Sequence, residues 1–87
     1  MVRVLLPSQL QSYSAGASRV EVDGATVAAA LDDLDRRFPG IRFRVIDEQG
    51  RIRPHMRVFV GPERALDIAR TLGEGDEVLI FGALSGG

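Results

Sequence analysis

The sequence predicts an α+β domain in which a mixed sheet of four to five strands wraps around one main helix. Three observations carry that prediction. Apolar residues alternate with a period of two at the start of the chain, and again over its last third. Between them, one segment shifts to a helical period. The chain has 87 residues, 45% of them hydrophobic and 26% charged, which suits a single domain over 1–87 and leaves no room for a second core.

The first strand is read at Val2-Arg3-Val4-Leu5-Leu6, with Val2, Val4 and Leu6 on one face, and the second at Arg19-Val20-Glu21-Val22. Together they suggest an opening hairpin. Residues 8–18 form a long connection that Leu10 and Tyr13 are expected to order by packing down. From Thr26 to Phe38 the apolar residues Val27, Ala30, Leu31, Leu34 and Phe38 recur at helical spacing, with Thr26 placed to cap the start and Pro39-Gly40 preventing continuation. Residues 41–54 read as a loop or weak hairpin turning at Asp47-Glu48-Gln49-Gly50. Met56-Arg57-Val58-Phe59-Val60 alternates as a third strand, residues 63–72 suit a short helix or an irregular crossover, and Gly73-Glu74-Gly75-Asp76 is a turn. Glu77-Val78-Leu79-Ile80-Phe81 is the last strand, and a right-handed crossover places it parallel to the first. This order is that of the β-grasp, or ubiquitin-like, arrangement. Its expected core is Val4, Leu6, Val20, Val22, Val27, Leu31, Leu34, Phe38, Val58, Val60, Val78 and Ile80.

Composition removes most chemistry. There is no cysteine, hence no disulfide, no thiolate metal site and no thiol nucleophile, and one histidine builds no cluster. A formal net charge of -1 gives no overall field that favours nucleic acid or an anionic membrane. Met1 to Leu6 is shorter than the roughly 7 to 15 apolar residues of a signal peptide and the about 20 of a membrane span, so a soluble cytoplasmic protein is expected. All eleven basic residues are arginine, which leaves the amine of Met1 as the only primary amine in the sequence.

Candidate sites thin out in the same way. His55 has no partner at a recognisable catalytic spacing and receives no role. The glycines at 73 and 75 precede a strand, the reverse of the strand-then-helix context in which glycine-rich loops cradle phosphate. Arg42, Arg44, Arg51, Arg53 and Arg57 have only Phe43 interleaved and Asp47 and Glu48 beside them, so nucleic-acid binding is not expected. Asp32, Asp33 and Asp35 read as a solvated helix face.

What remains is the end of the sequence. The last strand runs into Gly82-Ala83-Leu84-Ser85-Gly86-Gly87, read as a flexible tail over 82–87. Glycine has no Cβ and free choice of φ and ψ, so a terminal Gly-Gly gives a backbone that can enter a narrow passage. With the opening Val-Arg-Val-Leu-Leu, Asp23-Gly24-Ala25-Thr26-Val27, Arg37-Phe38-Pro39-Gly40, Val58-Phe59-Val60, Gly75-Asp76-Glu77-Val78 and the terminal Gly86-Gly87, nearly the whole chain resembles the MoaD/ThiS family of ubiquitin-like sulfur carriers. The length and the Pro-Gly helix end are more similar to the MoaD and CysO-like branches than to the shorter thiazole carriers. It departs from the family in having Gly61-Pro62 after the middle strand and Gly82-Ala83 before the tail. The resemblance implies a protein co-substrate with no catalytic residues and no bound cofactor or metal. An E1-like enzyme spends ATP to adenylate its terminal glycine, sulfur then gives a thiocarboxylate, and a sulfur-accepting synthase takes the sulfur toward molybdopterin, cysteine or a related product. The alternative is a ubiquitin-like interaction module whose tail is never activated.

Strand alternation also marks a partner face. With Val58, Val60, Val78 and Ile80 inward, Arg57, Phe59, Leu79 and Phe81 face outward, and Leu84 continues the apolar patch onto the tail. Outward aromatic and aliphatic side chains gathered on one face read as an interface, provided that residues 41–54 do not fold across it.

Overall fold

The computed structural model describes residues 1–82 of the chain. The alternation at the start becomes a hairpin of β1 (Val2–Leu5) and β2 (Arg19–Val22), antiparallel with Val4 opposite Val20. Its long connection is ordered from within. A 3-10 turn at Ser8–Leu10 buries Leu10, and the buried Ser14 hydroxyl donates to the Ala17 carbonyl at 2.6 Å. Tyr13, expected to pack down beside Leu10, is instead 37% exposed with the Arg44 guanidinium 5.4 Å from its ring centre.

The main helix, α1 (Val27–Arg37), starts where the cap was expected: the Thr26 hydroxyl accepts the Ala29 amide at 3.1 Å. Gly24 permits the tight entry, because a Cβ there would lie 2.4 Å from the Ala30 nitrogen. Gly40 takes a left-handed φ of 98° and turns the chain directly into a second helix, α2 (Ile41–Val45). The expectation of a loop is thus corrected at 41–45. Ile41 and Val45, one helical turn apart, are both fully buried. The rest of that segment is the expected small hairpin, with an Ile46–Ile52 bridge closing the turn at 47–50.

β3 (Met56–Val60) is followed not by a helix but by β4 (Glu63–Ala65), antiparallel to it, and then by an irregular crossover. That crossover is tied to the start of α1 by Val27 N–H donating to the Arg70 carbonyl and Leu72 N–H to the Ala25 carbonyl. β5 (Glu77–Gly82) runs parallel to β1 and antiparallel to β3, giving the sheet order β2-β1-β5-β3-β4. The strand continues through Gly82, one residue into the expected tail.

The core lies between the sheet and α1. Ten of the twelve expected core residues are buried, while Val20 and Phe38 pack against the cluster only in part. Val2, Leu10, Ala30, Ile41, Val45, Ile46, Met56 and Ala65 complete it.

Candidate functional site

Alternation in the strands leaves the other side of the sheet without a helix. The register aligns five residues across all five strands in one row: Arg19, Leu5, Leu79, Phe59 and Arg64. Three apolar side chains therefore stand between two guanidinium groups. Towards the end of β5 the next row pairs Phe81 with Arg57. The Phe81 ring meets Phe59 edge to face at 5.7 Å and is 48% exposed, while Phe59 and Leu79 are half-buried. The row on the far side, Glu21-Arg3-Glu77, is polar, and Arg3 bridges both carboxylates at 3.6 and 3.2 Å.

The structure thus brings Arg57, Phe59, Leu79 and Phe81 onto one face. Residues 41–45 do not cross that face: α2 packs on α1, with Ile41 and Val45 in the core. Leu5, Arg19 and Arg64 belong to the face and were not singled out from sequence. Leu5 could have been found, since it alternates with Val4 and Leu6. Arg64 sits on the strand that the sequence did not declare. Leu84, Gly86 and Gly87 lie outside the described residues.

The Arg57 guanidinium folds toward the end of the sheet from which the tail departs, donating to the Pro54 and Met56 carbonyls at 2.7 and 3.0 Å. Met56 is the register partner of Gly82, so Pro54 and His55 precede β3 at that same end. His55 is exposed beside Phe43, Arg44 and Arg53.

The helix aspartates do more than face solvent. Asp33 accepts the Asp23 amide at 2.9 Å and pairs with Arg36 and Arg37; the Asp23 N–H, followed by Arg36, holds its carboxyl below the usual aspartate value. Asp35 accepts the Gly40 and Arg42 amides at 3.0 Å each and fixes the junction between the two helices. Asp32 lies 2.9 Å from Arg42 Nε as a charge contact, without hydrogen-bond alignment. These carboxylates hold backbone and neighbouring arginines. Among the described residues no group of three or more His, Asp or Glu is arranged to hold a metal, and no helix is long and apolar enough to cross a membrane.

No family model matches the chain. It is 29% identical to the sulfur carrier protein CysO of Mycobacterium tuberculosis over 91 residues, covering 99% of this chain and 98% of that protein. It is 39% identical over 70 residues to small archaeal modifier protein 1 of Haloferax volcanii, covering 79% of each. Among solved structures, the Amycolatopsis orientalis BexX/CysO complex contains a chain that superposes with a TM-score of 0.92 at 30% identity over the full length of both.

Proposed function

This chain belongs to the MoaD/ThiS-like family of ubiquitin-like sulfur carriers and small modifiers, and we propose that it carries sulfur as a thiocarboxylate on Gly87. It is a sulfur carrier and a protein co-substrate, not an enzyme. The observation that carries the reading is the ordering of one face: an apolar row on the open side of the sheet leads to Phe81, and β5 ends one residue later. A partner seated on Leu5, Leu79, Phe59 and Phe81 would hold the root of the tail and aim Gly86-Gly87 into its nucleotide site.

The chemistry then follows from the carboxylate. One oxygen of Gly87 attacks the α-phosphorus of ATP on an E1-like enzyme and pyrophosphate leaves. A sulfide-level sulfur attacks the acyl carbon, AMP departs, and the carboxylate has become a thiocarboxylate. ATP is consumed by the partner enzyme as a co-substrate, which supports the expectation of a cytoplasmic protein. A sulfur-accepting synthase would then take the sulfur, and the complex of BexX with CysO from Amycolatopsis orientalis supports the expectation that such a carrier works bound to a partner protein.

Intact mass tests this. The chain incubated with ATP, sulfide and its adenylating enzyme should gain the mass difference between sulfur and oxygen, and the change should map to Gly87. A chain that stays unmodified while the enzyme thiolates another carrier would end the proposal. The likeness to a small archaeal modifier supports a second use of the same activated carboxylate, transfer to amines of other proteins. Lysine-linked chains of this protein with itself are ruled out by its lack of lysine.

A further inference from the structure

A net charge of -1 hides an axial asymmetry. The register puts Glu21, Glu63 and Glu77 toward the end of the sheet where β1 begins, together with Glu74 and Asp76 of the turn. Most of these have partners: Arg3 lies between Glu21 and Glu77, Glu63 pairs with Arg70, and Glu74 with the Met1 amine.

The end from which the tail departs is the opposite. Two open clefts there, of about 300 and 210 Å³, share Arg53. One is lined by Phe43, Arg44, Arg53 and His55, and the other includes Arg53, Arg57 and Arg64. Neither has a carboxylate in its wall. Among the described residues none of Arg44, Arg53, Arg57 and Arg64 lies within ion-pair distance of a carboxylate, whereas Arg3, Arg36, Arg37, Arg42 and Arg70 all do. Arg44, Arg53 and Arg57 are also held in place. Arg53 Nε donates to the Phe43 carbonyl at 2.8 Å and its guanidinium lies 4.6 Å from the Phe43 ring centre; Arg44 lies over Tyr13; Arg57 is pinned by two carbonyls. Guanidinium groups positioned by their own protein lose little freedom on meeting a carboxylate, and their fork geometry suits one.

Position supplies the occupant. Gly87 lies five residues beyond Gly82, so its carboxylate can reach at most roughly 17 Å from the end of β5. Any enzyme that works on that carboxylate must press its entrance against the surface around the tail root. We propose that the clefts on either side of Arg53 receive acidic side chains from the rim of the activating enzyme's tail channel. The sheet face then supplies apolar contact, and the clefts supply orientation and a fast, salt-sensitive approach. The inference rests on the sulfur-carrier reading for the identity of the partner and on the clefts alone for its chemistry.

The test separates the two. The ¹⁵N-labelled full chain is titrated with a blocked hexaglutamate peptide and, separately, with inorganic phosphate at matched ionic strength. Peptide shifts should concentrate at residues 43–45, 53–58 and 64, fall away in the double variant Arg44→Gln, Arg64→Gln, and persist in Arg36→Gln, a variant of the paired helix arginine. Peptide shifts that weaken equally in Arg36→Gln would mean a response to net charge and overturn the proposal. So would phosphate saturating the same signals at lower concentration than the peptide. With the adenylating enzyme, Arg44→Glu should raise the KM for the carrier about tenfold at low salt, with kcat retained and the difference closing at high salt. An unchanged KM with a folded variant refutes the docking role. Failure of the wild-type chain to form a thiocarboxylate would instead refute the sulfur-carrier mechanism and leave the peptide result standing.

Discussion

Phe81→Ala separates interface from core because the ring is divided almost evenly between them. A phenylalanine presents about 200 Å², and Phe81 is 48% exposed. The covered half, roughly 100 Å² at about 25 cal/mol per Å², sets a stability loss of about 2.5 kcal/mol, to which the edge-to-face contact with Phe59 adds about 1 kcal/mol. The open half has the same ceiling for a partner. Since interface area converts only partly into affinity, a loss of about 1 to 2 kcal/mol, or roughly 5- to 30-fold in Kd, is expected. The assay is urea denaturation beside calorimetric binding to the adenylating enzyme, at a temperature where the variant remains folded. A double-mutant cycle with Phe59→Ala should show a coupling of about 1 kcal/mol in stability. Affinity left unchanged, beside a stability loss anywhere up to the about 5 kcal/mol of a core aromatic, would refute the reasoning.

Gly24→Ala should cost about 2 to 3 kcal/mol in urea denaturation, because its Cβ would press on the backbone of Ala29 and Ala30, which cannot move without unwinding the start of α1. Gly86→Val, or one residue added after Gly87, should abolish thiocarboxylate formation with the thermal midpoint unchanged; a midpoint lowered by many degrees would show the tail to be structural. Asp33 and Asp47 are held below the ordinary value of 3.8, chiefly by the backbone amides of Asp23 and of Arg51 respectively. Their stabilisation is therefore complete above that value and is lost as pH falls through their lower folded values. Asp33→Asn should weaken the fold near neutrality and flatten its acid unfolding below pH 4, as acid titration followed by circular dichroism can check.

The elements legible in the sequence are those long enough to show a period. Val27, Leu31 and Leu34 define a face over two turns, and Val58 and Val60 alternate against Arg57 and Phe59, so α1 and β3 could be placed within a residue or two. α2 and β4 have five and three residues. Two buried positions in α2 and one in β4 sample no period at all. What makes α2 a helix is tertiary: Gly40 turns the chain, the Asp35 carboxylate takes two amides at the junction, and α1 offers an apolar surface on which Ile41 and Val45 can be buried. For a related reason Tyr13 does not pack down onto the loop. Its neighbours Leu10 and Ser14 are the buried residues of the loop, and its ring lies at the surface against the Arg44 guanidinium.

The site divides along the same line. Which side chains share the sheet face follows from alternation, and Phe59, Leu79 and Phe81 were recoverable because each lies next to an inward valine or isoleucine. Which charges share an end of the molecule does not. Arg44 and Arg53 lie nine positions apart in a stretch that also holds Asp47 and Glu48, so along the chain their charges look offset. In space the turn spends the Asp47 carboxylate on the amides of Gln49 and Arg51, and neither acid lines the clefts. Meanwhile the β3–β5 register carries Arg57 to Phe81 and the start of β3 to the root of the tail. Net charge is a sum and cannot report this. A protein close to neutral can still present one cationic end, and here that is the end at which β5 finishes.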